Sequence, residues 1–220
     1  GAQRAVSKDI SAMPHTPRID PDARLFDEMY AASRGADVRS LPWAHGKPHP
    51  FLSQWLERAA PPPAGRDRAL VVASGLGDDA EALAAHGWRV TAFDASETAI
   101  AWSRERFPNS TVKYHVADLF ALPPEWIGAF DLVVEVHTIQ ALPPTRRQDT
   151  IACIASTVAP GGTLFAVTFL REVRTQLAGR PWPLTNREVD SITWHGLTEV
   201  ARVANPDHPG RLNVIFERKA

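Results

Sequence analysis

From about residue 68 onward, short apolar runs alternate with amphipathic stretches. Ala69, Leu70, Val71, Val72 and Ala73 follow one another without a polar break. That predicts a strand over 68–74, buried on both faces. Gly75-Leu76-Gly77 then makes a turn, 78–86 reads as a helix, and Gly87 ends it. The alternation continues with a strand over 88–93 and a helix capped by Ser96 that runs to about Arg106. Strands follow over 112–116 and 130–136, then a long helix over 145–158. Pro160-Gly161-Gly162 leads into a fifth strand over 163–169. Upstream, 20–32 fits a helix with Asp20 as cap and Pro21 in its first turn. Leu25, Phe26, Met29 and Tyr30 fall on one face of it. A loop over 35–50 precedes an amphipathic helix over 51–59, which Pro61-Pro62-Pro63 stops. At the far end, strands over 197–204 and 211–218 are joined by a link too short for a crossover helix, so they form an antiparallel hairpin. The pattern predicts an α/β fold: a doubly wound, mostly parallel seven-stranded sheet with a C-terminal antiparallel hairpin.

Composition narrows the picture. The chain has 220 residues, 44% hydrophobic and 22% charged, which suits one core and one domain. Residues 1–19 are polar, proline-bearing and aperiodic, and read as a flexible arm; 20–220 reads as the single domain. The formal net charge of −1 gives no basic stripe for a polyanion, which argues against nucleic acid. No apolar run has the length of a membrane span and no signal segment opens the chain, so the expectation is a cytoplasmic protein without a membrane partner; the oligomeric state stays open, with a monomer favoured. The one cysteine, Cys153, excludes an intramolecular disulfide and reads as a small core residue. His45 and His49 lie four apart, but in a proline-rich loop rather than on a helix, so no metal site is expected.

Candidate chemistry gathers at the predicted strand ends, where open α/β sheets bind ligands. Gly75 and Gly77 flank Leu76 in the first turn and let the backbone approach a ligand. The acids Asp78 and Asp79 then open a helix, which tolerates them, but they would repel a pyrophosphate placed there. Asp94 and Ala95 end the second strand, about twenty residues after the glycines, where an acid accepts from ribose hydroxyls. Ala117-Asp118-Leu119 follows the third strand and suits an adenine amine and ring. Glu135 ends the fourth strand as a structural or cofactor-contacting acid. His137 follows it as a general base, an orienting donor or a wall residue.

These residues resemble the class I S-adenosylmethionine-dependent methyltransferases. The resemblance runs from about Phe26 to the C-terminus. Val71-Val72-Ala73-Ser74-Gly75-Leu76-Gly77, Asp94, Ala117-Asp118-Leu119, Phe130-Asp131-Leu132-Val133-Val134-Glu135 and Ala159-Pro160-Gly161-Gly162-Thr163-Leu164 carry it. Tyr30 and the stretch from Pro42-Trp43 to Pro50 resemble the lid of the small-molecule branch, which includes thiol, halide, thiopurine and tellurite methyltransferases. The resemblance implies a Rossmann-like methyltransferase fold with a helical lid over about 20–60. It implies adenosylmethionine as cofactor and a thiol, hydroxyl or heterocyclic nitrogen of a small molecule as acceptor. Trp43 would face the sulfonium, to which an aromatic ring is attracted. Tyr30, His45 and Trp182 would lie on the substrate side. Ala73 departs from the pattern, because an acid usually stands before the glycine turn. Two alternatives stay open: a nicotinamide-dependent oxidoreductase, and an adenosylmethionine-binding protein without catalysis.

Overall fold

The computed structural model describes residues 20–220; the arm expected over 1–19 lies outside the described residues. Helices α1 (Pro21–Ser33) and α2 (Pro50–Arg58) come first. Asp20 caps α1 by accepting from Asp22 N–H, and the His49 ring caps α2 by accepting from Phe51 N–H. Both helices carry proline in the first turn, where a missing N–H costs nothing. The alternating part follows as β1 (Arg68–Val72), α3 (Asp78–Ala85), β2 (Arg89–Asp94), α4 (Glu97–Arg106), β3 (Lys113–Val116) and β4 (Phe130–Val136). Next come α5 (Thr138–Ala141), α6 (Arg147–Ser156), β5 (Val158–Phe169), α7 (Asn186–Asp190), β6 (Leu197–Ala204) and β7 (Arg211–Arg218).

The strands form one sheet in the order β3-β2-β1-β4-β5-β7-β6. Strands β1 to β5 pair in parallel, and β7 runs antiparallel to both neighbours. The mostly parallel, seven-stranded fold expected from the pattern is therefore present. Alternate residues of β1 feed two cores, as the pleat requires. Leu70 and Val72 join Phe93, Val133 and Leu164 on one face. Ala69 and Val71 join Val90, Ala92, Val134 and Phe165 on the other, with Leu52 and Leu56 of α2. A third, smaller cluster packs Tyr30, Leu41 and Leu76 against Ala99 and Trp102 of α4, and so fastens the N-terminal segment to the sheet domain.

Several boundaries differ from the expectation: β1 ends at Val72 rather than 74, and the larger differences lie at the entry to β5. Strand β5 begins at Val158, inside the segment assigned to the preceding helix. Its pairing with β4 shifts between Phe130 and Leu132, so Pro160-Gly161-Gly162 forms an irregular step within the strand rather than a turn before it. A Cβ on Gly162 would lie 2.8 Å from Phe130 O, which explains the glycine. The helix itself starts later than 145, because Pro144–Arg146 forms a 3-10 turn ahead of α6. Helix α7 was not expected, although Thr185 and Glu188 form a complete capping box.

Gly77 shows how closely the first turn is packed. It has φ 90°, and a Cβ there would lie 2.4 Å from the Tyr114 hydroxyl. Gly77→Ala should cost about 2–4 kcal/mol in urea unfolding, from strain and overlap together. In a Tyr114→Phe background the cost of the same change should shrink, because the overlapping oxygen is gone. An equal cost in both backgrounds would assign the whole effect to the backbone angle.

Candidate active site

The strand order reverses between β1 and β4, and the C-terminal ends of the strands there open into a cavity of about 610 Å³. Residues from four strand ends line it. Gly75 and Leu76 line it after β1, Asp94 and Ala95 after β2, and Ala117, Asp118 and Leu119 after β3. His137 lines it after β4, and Tyr30, Trp43 and His45 line it from the N-terminal segment. Two non-glycine residues among those described adopt left-handed backbone, Ala73 at φ 47° and His137 at φ 62°. Both sit at strand ends on this cavity, where strained backbone commonly marks function.

Asp94 is buried, and its carboxylate organises the turn: Oδ2 accepts from Gly75 N–H at 2.9 Å and Oδ1 from Ser96 N–H at 2.9 Å. Burial pushes its pKa up, against the pull of these backbone donors. Above the turn, Trp43 Nε1–H donates to the Tyr30 hydroxyl at 3.0 Å. A Cβ on Gly75 would meet that hydroxyl at 3.0 Å, so the bare glycine lets the aromatic pair come down onto the turn. Asp118 is exposed and accepts from Phe120 N–H. The N-terminal segment is tied down elsewhere too. Asp27 accepts from Ser96 Oγ at 2.7 Å and Thr98 N–H at 3.0 Å. Asp20 pairs with Arg146, and Asp22 with Arg180.

The far end of the cavity is built around two imidazoles. The His49 and His137 rings meet edge to face with centroids 5.3 Å apart, and Phe169 lies 4.6 Å from His137. Arg211, paired directly opposite Phe169 in the sheet, stacks on that ring at 5.5 Å. Burial pushes His49 down to about 4, with His137, His45 and Arg211 adding to it. Burial likewise pushes His137 down to about 4; Gln140 opposes the shift, and Arg211 and His45 reinforce it. Both rings are therefore neutral at neutral pH. Because His49 Nδ1 accepts from Phe51 N–H at 3.2 Å, its proton sits on Nε2, which makes it a donor. His137 Nδ1 is buried without a hydrogen-bond partner among the described residues.

Three residues named from the sequence do not line the cavity. Gly77 faces Tyr114 and serves packing. Glu135 is fully buried beneath the cavity wall, where Oε2 accepts from Thr138 and Ile139 N–H and holds the start of α5. Burial pushes its pKa up to about 8. Trp182 is turned aside: its backbone joins Gln140 and Arg147, and Arg180 stacks on its ring, so Arg180 and Pro181 reach the cavity instead. Cys153 is half-buried against the main core. The acidic turn is also less negative than its sequence suggests, because Asp78 forms two 2.8 Å hydrogen bonds with Arg106. Sequence reading missed His49, Asp79 and Phe169 as cavity residues. In the sequence His49 figures only with His45, four apart in a proline-rich loop, and within the lid-like stretch. Among the described residues no group of three or more His, Cys, Asp or Glu is placed to hold a metal ion, and no helix is long and apolar enough to cross a membrane.

Acids at successive strand ends, a glycine turn without room for side chains, and a buried unpartnered Ser74 hydroxyl beside it fit an adenosyl ligand with an amino-acid tail. Fold and cavity define a class I S-adenosylmethionine-dependent methyltransferase. Residues 37–211 match the thiopurine S-methyltransferase family, and the chain belongs to it. It is similar to a probable thiol methyltransferase 2 of Arabidopsis thaliana, 28% identical over 160 residues, which cover 71% of this chain and 68% of the relative. It is also 32% identical over 131 residues to a ubiquinone biosynthesis O-methyltransferase of Aromatoleum aromaticum, covering 59% of this chain and 54% of that protein. Among solved structures it resembles the N-methyltransferase NodS of Bradyrhizobium japonicum in complex with S-adenosylhomocysteine. There the TM-score is 0.66 at 23% identity, over 88% of this chain and 98% of the other. The enzyme is thus a methyltransferase that uses adenosylmethionine and acts on a small molecule, and the nicotinamide alternative finds no support.

Proposed function

We propose that the acceptor is a small thiol that reacts as its thiolate. The observation that carries this reading is that the two imidazoles at the far end of the cavity are weak bases. His137 and His49 are both held near 4 by burial, and His49 presents a donor. A group with so low a pKa is poorly matched to removing a proton from a phenol or alcohol at neutral pH. A thiol that ionises by itself needs only to be placed. The relative named a thiol methyltransferase supports the same class.

In this reading the cofactor occupies the cavity with its ribose at Asp94, its adenine between Asp118 and Leu119, and its backbone approach at Gly75 and Leu76. Ala95 and Ala117 flank the rings. Bound adenosylmethionine supplies a methyl group on a sulfonium. Trp43 faces that cation, held in place by its bond to Tyr30. The N-terminal segment over about 20–60 acts as a lid, clamped by Asp20, Asp22 and Asp27, and keeps water from the reacting atoms. His137, His49 and Phe169 align the acceptor, with His45 at the rim, and alignment supplies much of the barrier reduction.

The test follows adenosylhomocysteine release with an aryl thiol and a phenol of similar shape at neutral pH. The thiol should turn over about 100-fold faster or more, in line with its larger ionised fraction. A phenol turned over as fast as the thiol would overturn the reading.

A further inference from the structure

We infer that Asp79 is the counter-ion for the ammonium group of the cofactor's methionyl tail, and that it couples that tail to the lid. The inference rests on the cofactor occupying the cavity as proposed above. Ala73, at the end of β1, offers no side-chain acceptor, although it lines the same cavity. Asp79 stands in the first turn of α3, on the side of the turn facing the lid. Its carboxylate also lines the cavity, and Oδ1 accepts from His49 N–H at 2.7 Å. No other hydrogen bond and no ion pair engages this carboxylate among the described residues, so Oδ2 is free to take a ligand.

The neighbouring acids are committed. Asp78 gives both oxygens to Arg106, and Asp94 serves the backbone N–H groups of the turn and, in the placement proposed above, the ribose. Asp118 lies at the opposite, adenine end. A carboxylate this deep without a cation is costly, and a cationic ligand removes the cost. Ammonium brings three donors and a full charge. The Ser74 hydroxyl, buried and unpartnered beside Ala73, is a second acceptor within the same stretch of wall. His49 is the cap of α2 and belongs to the lid segment, so its N–H makes Asp79 the bridge between the lid and the tail.

The coupling carries a pH signature. Burial and the neighbouring Asp78 push Asp79 up to about 6, against the pull of His49 N–H. An ammonium beside it favours the ionised form, so the pKa falls in the complex. Affinity should therefore be full above about pH 6 and fall as pH drops below it. The other groups facing Asp79 are His49 and His137, held near 4 and neutral over this range, His45 at the rim, and the Asp78–Arg106 pair.

Calorimetry on the full chain tests this with two ligands: adenosylhomocysteine, and its analogue lacking the α-amino group. Asp79→Asn should weaken adenosylhomocysteine by about 10- to 100-fold at about pH 7.5, the loss of one charged hydrogen bond, and leave the analogue unchanged. Equal weakening of both ligands, or unchanged affinity for adenosylhomocysteine, would overturn the inference. Binding of the analogue also reports that the variant is folded. The wild type gives a second, mutation-free arm. Lowering the pH from about 7.5 to 5.5 should weaken adenosylhomocysteine about threefold or more and spare the analogue; equal pH dependence for the two would overturn the coupling. A wild type that binds neither ligand would instead overturn the placement of the cofactor, on which this inference depends.

Discussion

Asp94→Ala is expected to lower adenosylhomocysteine affinity by about 10²–10³-fold and to cost about 2–4 kcal/mol of stability. Two losses combine. The proposed ribose contacts go, and the buried N–H groups of Gly75 and Ser96 lose the carboxylate that holds the turn. Each orphaned donor carries its own desolvation cost, so the turn should relax and Leu76 should shift with it. Asp94→Asn separates the two effects. It keeps one acceptor oxygen and turns an amide NH₂ toward one of the two backbone donors, so part of the stability cost remains. Calorimetry for affinity and urea unfolding for stability read them out. Stability lost with affinity intact would make Asp94 a purely structural staple and move the ribose elsewhere in the cavity.

The strands were legible because parallel strands covered on both faces must be apolar without interruption. The runs over β1 and β4 announce themselves for that reason. The terminal hairpin was legible from a linker too short for anything else. The glycine turn, Asp94 and Asp118 were legible because a doubly wound sheet puts strand ends together whatever the helices do. The short helices α5 and α7 were not read, since four or five residues give no helical period. The irregular start of β5 was hidden as well: Gly162 is required by the approach of Phe130 O, a contact from another strand.

Side-chain roles were less legible than positions. Glu135 lies in an apolar run at a strand end, which fits a cofactor ligand and a buried clamp equally well; only its bonds to Thr138 and Ile139 N–H decide. Asp78 and Asp79 look equivalent in sequence. One turns to Arg106, distant in the chain, and the other turns inward. The lid clamps join Asp20 to Arg146 and Asp22 to Arg180, partners that no local pattern relates. His49 matters because a loop before α2 meets the end of β4, which is tertiary information.

His137→Ala should lower kcat/KM by about 10- to 100-fold, with the loss mainly in the acceptor's KM and with cofactor affinity kept. The ring stands on left-handed backbone between β4 and α5, held by the Glu135 clamp, and faces Phe169 and His49. Two features favour positioning over proton removal. Burial keeps the imidazole near 4, so its conjugate acid is too strong for an effective base at neutral pH. Its Nδ1 also has no partner among the described residues for the hydrogen bond that usually fixes the tautomer and orientation of a catalytic histidine. The pH profile separates the roles. With saturating cofactor, wild-type turnover of a thiol should rise with the thiol's own ionisation and show no enzyme inflection between about pH 6 and 8. Changing to a more acidic thiol should move the profile by the difference in thiol pKa, in wild type and variant alike. An inflection near pH 6–7 that disappears in His137→Ala, with kcat down by about 10²-fold or more, would restore the general base. Equal losses in kcat for thiols of very different acidity, with KM unchanged, would defeat both roles and leave His137 as part of the frame.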